Sequence, residues 1–139
     1  MTAVKKRIIN PPELATPSGF SHAIATRGGT MLFLAGQDAS DRQGRIVAVG
    51  DLVEQTRRVL DNLSAVLTAA GGMAQDIVQL TIFVHDRADY LAKRKPLGVV
   101  FRSHFGGYYP AMALFEVSGF YQADALIEMQ GIAVIPDER

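Results

Sequence analysis

Ala125-Leu126-Ile127-Glu128-Met129-Gln130-Gly131-Ile132-Ala133-Val134-Ile135 alternates between two sets of side chains. The odd positions, Ala125, Ile127, Met129, Gly131, Ala133 and Ile135, are small or apolar, whereas the even positions, Leu126, Glu128, Gln130, Ile132 and Val134, set one acid and one amide among aliphatics. A period of two marks a β-strand, whose successive side chains point to opposite faces of a sheet. The odd face suits packing beneath helices. The even face is too apolar to be left in water, so the pattern predicts that it meets other copies of the chain, with partly buried polar groups at the seams.

Towards the N-terminus, a strand is expected at Met112 to Val117, followed by a loop at Ser118 to Asp124. Another is expected at Ile77 to Val84, with Val78, Leu80, Ile82 and Val84 on one face and Gln79 and Thr81 on the other. Between them a second helical region begins after Asp86; Pro96 demands a break near Lys93 to Lys95 or a kink. The first helix starts at Asp51-Leu52-Val53-Glu54, with Asp51 as N-cap and Glu54 at the capping-box distance. Leu52, Val59, Leu60, Leu63, Val66, Leu67 and Ala70 form its apolar stripe, and Gly71-Gly72 ends it. In the first third, Lys6 to Ile9 reads as a short strand, His22 to Thr26 and Met31 to Ala35 as a hairpin joined across Gly28-Gly29, and Arg45 to Val49 as another short strand. The order is strands, helix, strand, helix, strands, which predicts an α+β fold: one mixed sheet with two helices packed on one face.

The length of 139 residues and 48% hydrophobic content suit a single domain, 1–139, able to bury its core without disulfides or metals. Fourteen Lys and Arg balance fourteen Asp and Glu, so no overall field draws the chain to nucleic acid or an anionic membrane, and a small molecule or a protein is the expected partner. The absence of cysteine excludes thiolate metal sites and cysteine nucleophiles. His85 and His104 fit no ligand spacing and the glycine pairs fit turns rather than phosphate loops, so neither metal nor cofactor is expected. Met1 to Asn10 carries Lys5, Lys6 and Arg7 but no apolar run of signal-peptide length, which makes the cytoplasm the expected location.

Several blocks, in order, resemble one family. They are Gly19-Phe20-Ser21-His22-Ala23, Leu32-Phe33-Leu34-Ala35-Gly36-Gln37, Gly50-Asp51 with Glu54-Gln55-Thr56, Asn62-Leu63, Ala70-Gly71-Gly72, Thr81-Ile82-Phe83-Val84, Pro110-Ala111 and Ile127-Glu128-Met129-Gln130-Gly131-Ile132-Ala133. Across roughly residues 17 to 134 the chain resembles the RidA (YjgF-type) reactive-intermediate deaminases. The resemblance implies a chorismate-mutase-like subunit, a homotrimer with ligand clefts between subunits, and hydrolysis of imines or enamines of 2-amino acids to 2-oxo acids and ammonia.

The residues depart from that family where its substrate is held. The arginine after Pro-Ala, which clamps the substrate carboxylate, is here Met112, so an apolar thioether stands in place of a planar bidentate donor. The site tyrosine falls on Phe20, its nearby glutamine on His22, and an asparagine of the second helix on Arg94. Glu128 is kept at the position of a glutamate that directs water, and Ala35-Gly36 would line the cleft with backbone. Each residue has a plainer role too. Glu128 is either a general base of raised pKa or half of an ion pair across a seam; His22 titrates beside the cleft or only hydrogen-bonds in a strand; Arg94 replaces the missing cation or belongs to a solvated helix face with Lys93 and Lys95; Phe20 and Met112 wall a ligand or pack together. The expected function is a divergent RidA-like hydrolase that does not favour 2-iminopropanoate, and the alternative is a trimer that binds a small molecule without catalysis. Ribonuclease activity is disfavoured by the zero net charge and the lack of an aromatic-basic pattern.

Overall fold

The computed structural model describes residues 4–139; Met1 to Ala3 of the opening segment lie outside the described residues. β1 (Lys5–Ile9) and β2 (Ala23–Arg27) pair antiparallel as a small sheet of their own. β3 (Thr30–Gln37) belongs to a second sheet. The hairpin expected across Gly28-Gly29 is therefore not formed, because β2 gives its edge to β1 and β3 gives its edge to β6 (Ile127–Ile135). The two glycines, at φ 82° and 76°, instead turn the chain from one sheet into the other. A Cβ on Gly29 would lie 2.5 Å from the Ile135 carbonyl oxygen, so the crossing needs glycine for space as well as for conformation.

Arg45 to Val49 is not a strand either. Asp41 Oδ1 accepts from the backbone of Gln43 (2.9 Å) and Arg45 (3.0 Å), which folds this segment as a turn with one isolated bridge, Ser40 to Ile46.

α1 (Leu52–Ala69) begins where the Asp51 side chain accepts from Glu54 N at 3.1 Å. The reciprocal half of the expected box is absent, since the Glu54 carboxylate turns to Arg57 at 3.4 Å. The helix ends in a Schellman cap, with Gly72 N donating to Leu67 O (2.7 Å) and Gly71 N to Thr68 O (3.0 Å). Leu52, Val59, Leu60, Leu63 and Leu67 are buried, but Val66 is left at the surface. Gln55 and Thr56 are buried in its place. Gln55 Nε2 donates to the carbonyls of Asp124 (3.0 Å) and Ala48 (3.3 Å), and its Oε1 accepts from Leu126 N (2.8 Å), tying α1 to the loop that enters β6.

β4 (Ile77–Val84) has the expected bounds, with Leu80, Ile82 and Val84 buried. A register shift between Ile77 and Gln79 against β6 puts Ile77, not Val78, into the core. The second helical region is two helices, giving three α-helices among the described residues rather than two. α2 (Arg87–Ala92) is capped by Asp86, and α3 (Arg94–Phe105) restarts after Lys93 with Pro96 in its first turn, where its missing N–H costs nothing. This crossover returns to β5 (Ala111–Glu116), parallel to β4, and completes the mixed sheet β3-β6-β4-β5. Leu60, Leu63 and Leu67 of α1 and Leu97 and Val100 of α3 form one buried cluster with Leu80, Ile82, Ile127 and Met129 on a single face of the sheet. The odd positions of the last strand face this core, as their pattern predicts. The opposite face leaves Met31 and Phe33 of β3 and Phe115 of β5 exposed.

Candidate functional site

β5 is an edge strand, and a cavity of about 540 Å³ opens between it and α3. Register explains why Met112 reaches the cavity: Met112 pairs with Leu80 and Leu114 with Ile82, so both turn to the helix side. Phe20 is brought to the same rim by its neighbour. Ser21 N donates to Pro110 O at 3.0 Å, Ser21 Oγ donates to Tyr109 O at 2.6 Å, and residue 21 forms a parallel bridge with Ala111. Arg94 lines the cavity from the start of α3. Three of the residues picked out from the sequence, Phe20, Arg94 and Met112, thus meet in one place.

Two further residues belong with them. Arg102 lines the cavity from the last turn of α3, and neither it nor Arg94 is paired with a carboxylate among the described residues. Tyr90 of α2 lines it too. Burial pushes the Tyr90 phenol up to about 12, so it stays a neutral hydrogen-bond donor at any physiological pH. Tyr90 thus brings a phenol to the cavity that Phe20 also lines. The signal for both was present in the spacing: Arg94, Gly98 and Arg102 recur every four residues on α3, the interval that stacks side chains on one helix face, and the same interval carried back across the break at Lys93 reaches Tyr90.

The remaining residues lie elsewhere. Glu128 pairs with Phe83 and so points to the open face, away from α3. It is half-buried, and burial, followed by the Asp38 charge, raises its pKa above the ordinary carboxylate value. Beside it the β3–β6 register shifts between Leu34 and Gln37, at Ala35 and Gly36. A Cβ on Gly36 would overlap a Glu128 carboxylate oxygen, so this glycine is what lets the acid lie against the β3 backbone. Ala35, Gly36 and Glu128 form a second group, separate from the cavity within the subunit. His22 joins neither. Its Nε2 lies 2.7 Å from Ala15 O, its backbone N donates to Asn10 Oδ1 at 2.8 Å, and its ring meets Phe20 edge-on at 5.2 Å, so it braces the segment that carries Phe20.

No cluster of three or more His, Asp or Glu side chains suited to a metal ion occurs among the described residues. None of the described helices is long and apolar enough to cross a membrane.

The model of the endoribonuclease L-PSP family matches residues 11–135. A RutC family protein of Pyrococcus horikoshii is 35% identical over 129 residues, covering 92% of this chain and 97% of its own length. The 3-aminoacrylate deaminase RutC of Acinetobacter baylyi is 33% identical over 122 residues, 88% of this chain and 93% of that protein. Among solved structures, a Rid family protein of Yersinia pestis superposes with a TM-score of 0.81 at 33% identity, covering 94% of this chain and 98% of that one. The chain therefore belongs to the endoribonuclease L-PSP family, the family of the YjgF and Rid proteins.

Proposed function

We propose that this protein hydrolyses an imine or enamine of a small organic acid, in the cytoplasm and without metal or cofactor, and that α3 rather than residue 112 holds the acid. The observation that carries this reading is the pair of unpaired guanidiniums, Arg94 and Arg102, lining the cavity that Met112 also lines. An apolar side chain at residue 112 cannot hold a carboxylate, but an arginine across the same cavity can. The 33% identical RutC relative is a deaminase of 3-aminoacrylate, an enamine acid, which supports the same reaction class here.

In the proposed reaction, water adds through oxygen to the imine carbon while a Glu128 carboxylate takes the water proton. The C–N bond then breaks, nitrogen leaves as ammonia with protons returned through the same carboxyl, and the carbonyl product remains. An enamine enters this sequence after tautomerising to the imine. Burial of Glu128 favours the role, because a raised pKa makes a carboxylate a stronger base. Since Glu128 faces away from its own subunit's cavity, the site needs Glu128 from a neighbouring copy. A homotrimer pairing the open sheet face of one copy with the β5 edge of the next meets that need. Tyr90 donates to the substrate as a neutral phenol.

The reading is tested by generating 3-aminoacrylate or 2-iminopropanoate in situ with a dehydratase and following ammonia release. The protein should accelerate release from at least one imine or enamine acid, and Glu128→Gln should lose about 10²–10⁴-fold of that acceleration. Binding of acids with no acceleration of any imine would favour the second reading, a non-catalytic binder, to which the loss of the clamp at Met112 points.

A further inference from the structure

The placement of Arg102 in the cavity is tuned by a residue one turn earlier on α3. Side chains on a helix lean towards its N-terminus, so a long side chain at position 102 lies over position 98. Position 98 is glycine, and Arg102 Nη1 lies 3.1 Å from where a Cβ on Gly98 would be. A methyl at position 98 would be tighter than ordinary contact, so the guanidinium would have to give way by a few tenths of an ångström. At about 1.5 Å of rise per residue, Arg94 and Arg102 leave the helix about 12 Å apart along its axis, and since both side chains lean towards the N-terminus the lean does not close that gap; a guanidinium–carboxylate contact of about 4 Å at each end leaves room for two acid groups a few bonds apart. Two cations at this separation face a cavity whose other walls include the apolar Phe20, Leu97, Phe101 and Met112, and no carboxylate lines it. Both arginines are exposed, and a ligand with one acid group would engage only one of them. A ligand with two acid groups a few bonds apart would match both.

We infer that Arg94 and Arg102, on either side of the side-chain-free position Gly98, form two anion subsites of one cavity, and that the ligand class is a short dicarboxylate. For the reaction this rests on the hydrolase reading above, the substrate then being an imine or enamine of a diacid; for binding it stands alone. Gly98 is a positioning residue, since it acts through Arg102.

The test is calorimetric titration of the intact protein with 2-oxo acids, which resemble hydrolysis products and do not turn over: pyruvate and 2-oxobutyrate as monoacids, oxaloacetate and 2-oxoglutarate as diacids. The wild type should bind the diacids at least about tenfold more tightly than the monoacids, as expected of an added charge-assisted contact. Arg102→Met should bring that ratio to about 1, whereas Arg57→Met, which removes a surface cation paired with Glu54 outside the cavity, should leave it unchanged. Gly98→Ala keeps every charge and favours the helix, yet should lower the ratio by pushing the Arg102 guanidinium aside. Equal affinities in the wild type, an unchanged ratio in Arg102→Met, or binding of no acid at all would overturn the inference. Diacid binding without hydrolysis of any imine or enamine acid would leave the two subsites standing and remove the hydrolase reading. Hydrolysis of monoacid imines with no diacid preference would do the reverse.

Discussion

Met112 and Glu128 stand on opposite faces of one sheet, with β4 between their strands. Glu128 on β6 lies beside Phe83, and Met112 on β5 lies beside Leu80, an odd number of residues away along β4, so one side chain points to the solvent face and the other to the helices. No rotation of either side chain reverses this, and the chemistry of one subunit's cavity cannot draw on its own acid.

Assembly is the first expected outcome. Phe33 is 71% exposed and Met31 59%, and Phe83 stacks on Phe115 on the same face with ring centroids 6.2 Å apart. A patch of this kind is covered in solution. Light scattering at micromolar concentration should give a trimer, and Phe33→Glu should give a folded monomer without hydrolase activity.

Glu128 should govern two pH dependences. As a base it must be ionised, so the acid limb of kcat/KM should lie above the ordinary carboxylate pKa of about 4.5 and vanish in Glu128→Gln. For stability the sign is opposite to that of a salt-bridged acid. A pKa raised on folding contributes stability below the unfolded value and loses it as pH rises through the folded one. In the Phe33→Glu monomer, Glu128→Gln should therefore raise the melting temperature at pH 7 and leave it unchanged below about pH 4.

Gly36→Ala isolates the position of the acid from its presence. The added methyl would overlap the Glu128 carboxylate, which must then swing off the β3 backbone. Activity should fall by about tenfold or more, since a misplaced base loses much of its effect, while circular dichroism stays that of the wild type.

Met112→Arg puts a guanidinium on the wall where this chain has only a thioether. Hydrolysis of 2-iminopropanoate should rise by about tenfold or more, the scale of one charge-assisted contact, and the gain should disappear in a Glu128→Gln background. A well-folded Met112→Arg trimer that binds pyruvate but gains no rate would count against Glu128 as the base.

Gln55→Leu is the stability prediction. Leucine matches the apolar surroundings, but it abandons the carbonyls of Ala48 and Asp124 and the amide of Leu126. At about 1–3 kcal/mol for each buried group left unsatisfied and some relief by water, urea unfolding should report a loss of roughly 2–4 kcal/mol.

The strands that carry the site were legible because their pattern is local. Ile77–Val84 was readable to the residue, and the parity of the last strand showed which side Glu128 faces. Pairing is a long-range matter and was not legible. Gly28-Gly29 has the composition of a hairpin turn, yet the partners of β2 and β3 are chosen by edges far along the chain. The same limit applies to Gln55, whose three partners lie in two separate loops. In the site, Phe20 and Met112 were found through motifs, whereas Tyr90 and Arg102 lie outside any motif and required the four-residue spacing to be followed across the break at Lys93.

Strand order also divides the machinery by how fast it breathes. β6 is an interior strand, paired with β4 along its length and with β3 from Met129 onward, so its amides should exchange with deuterium more slowly than those of β5. β5 is held by β4 on one side and by little more than the Ser21 bridge on the other, so it can detach in local openings that leave the centre intact. In the proposed reaction the acid then sits on an interior strand and the ligand's wall on a faster edge, an arrangement in which a product can be let go without disturbing the proposed base.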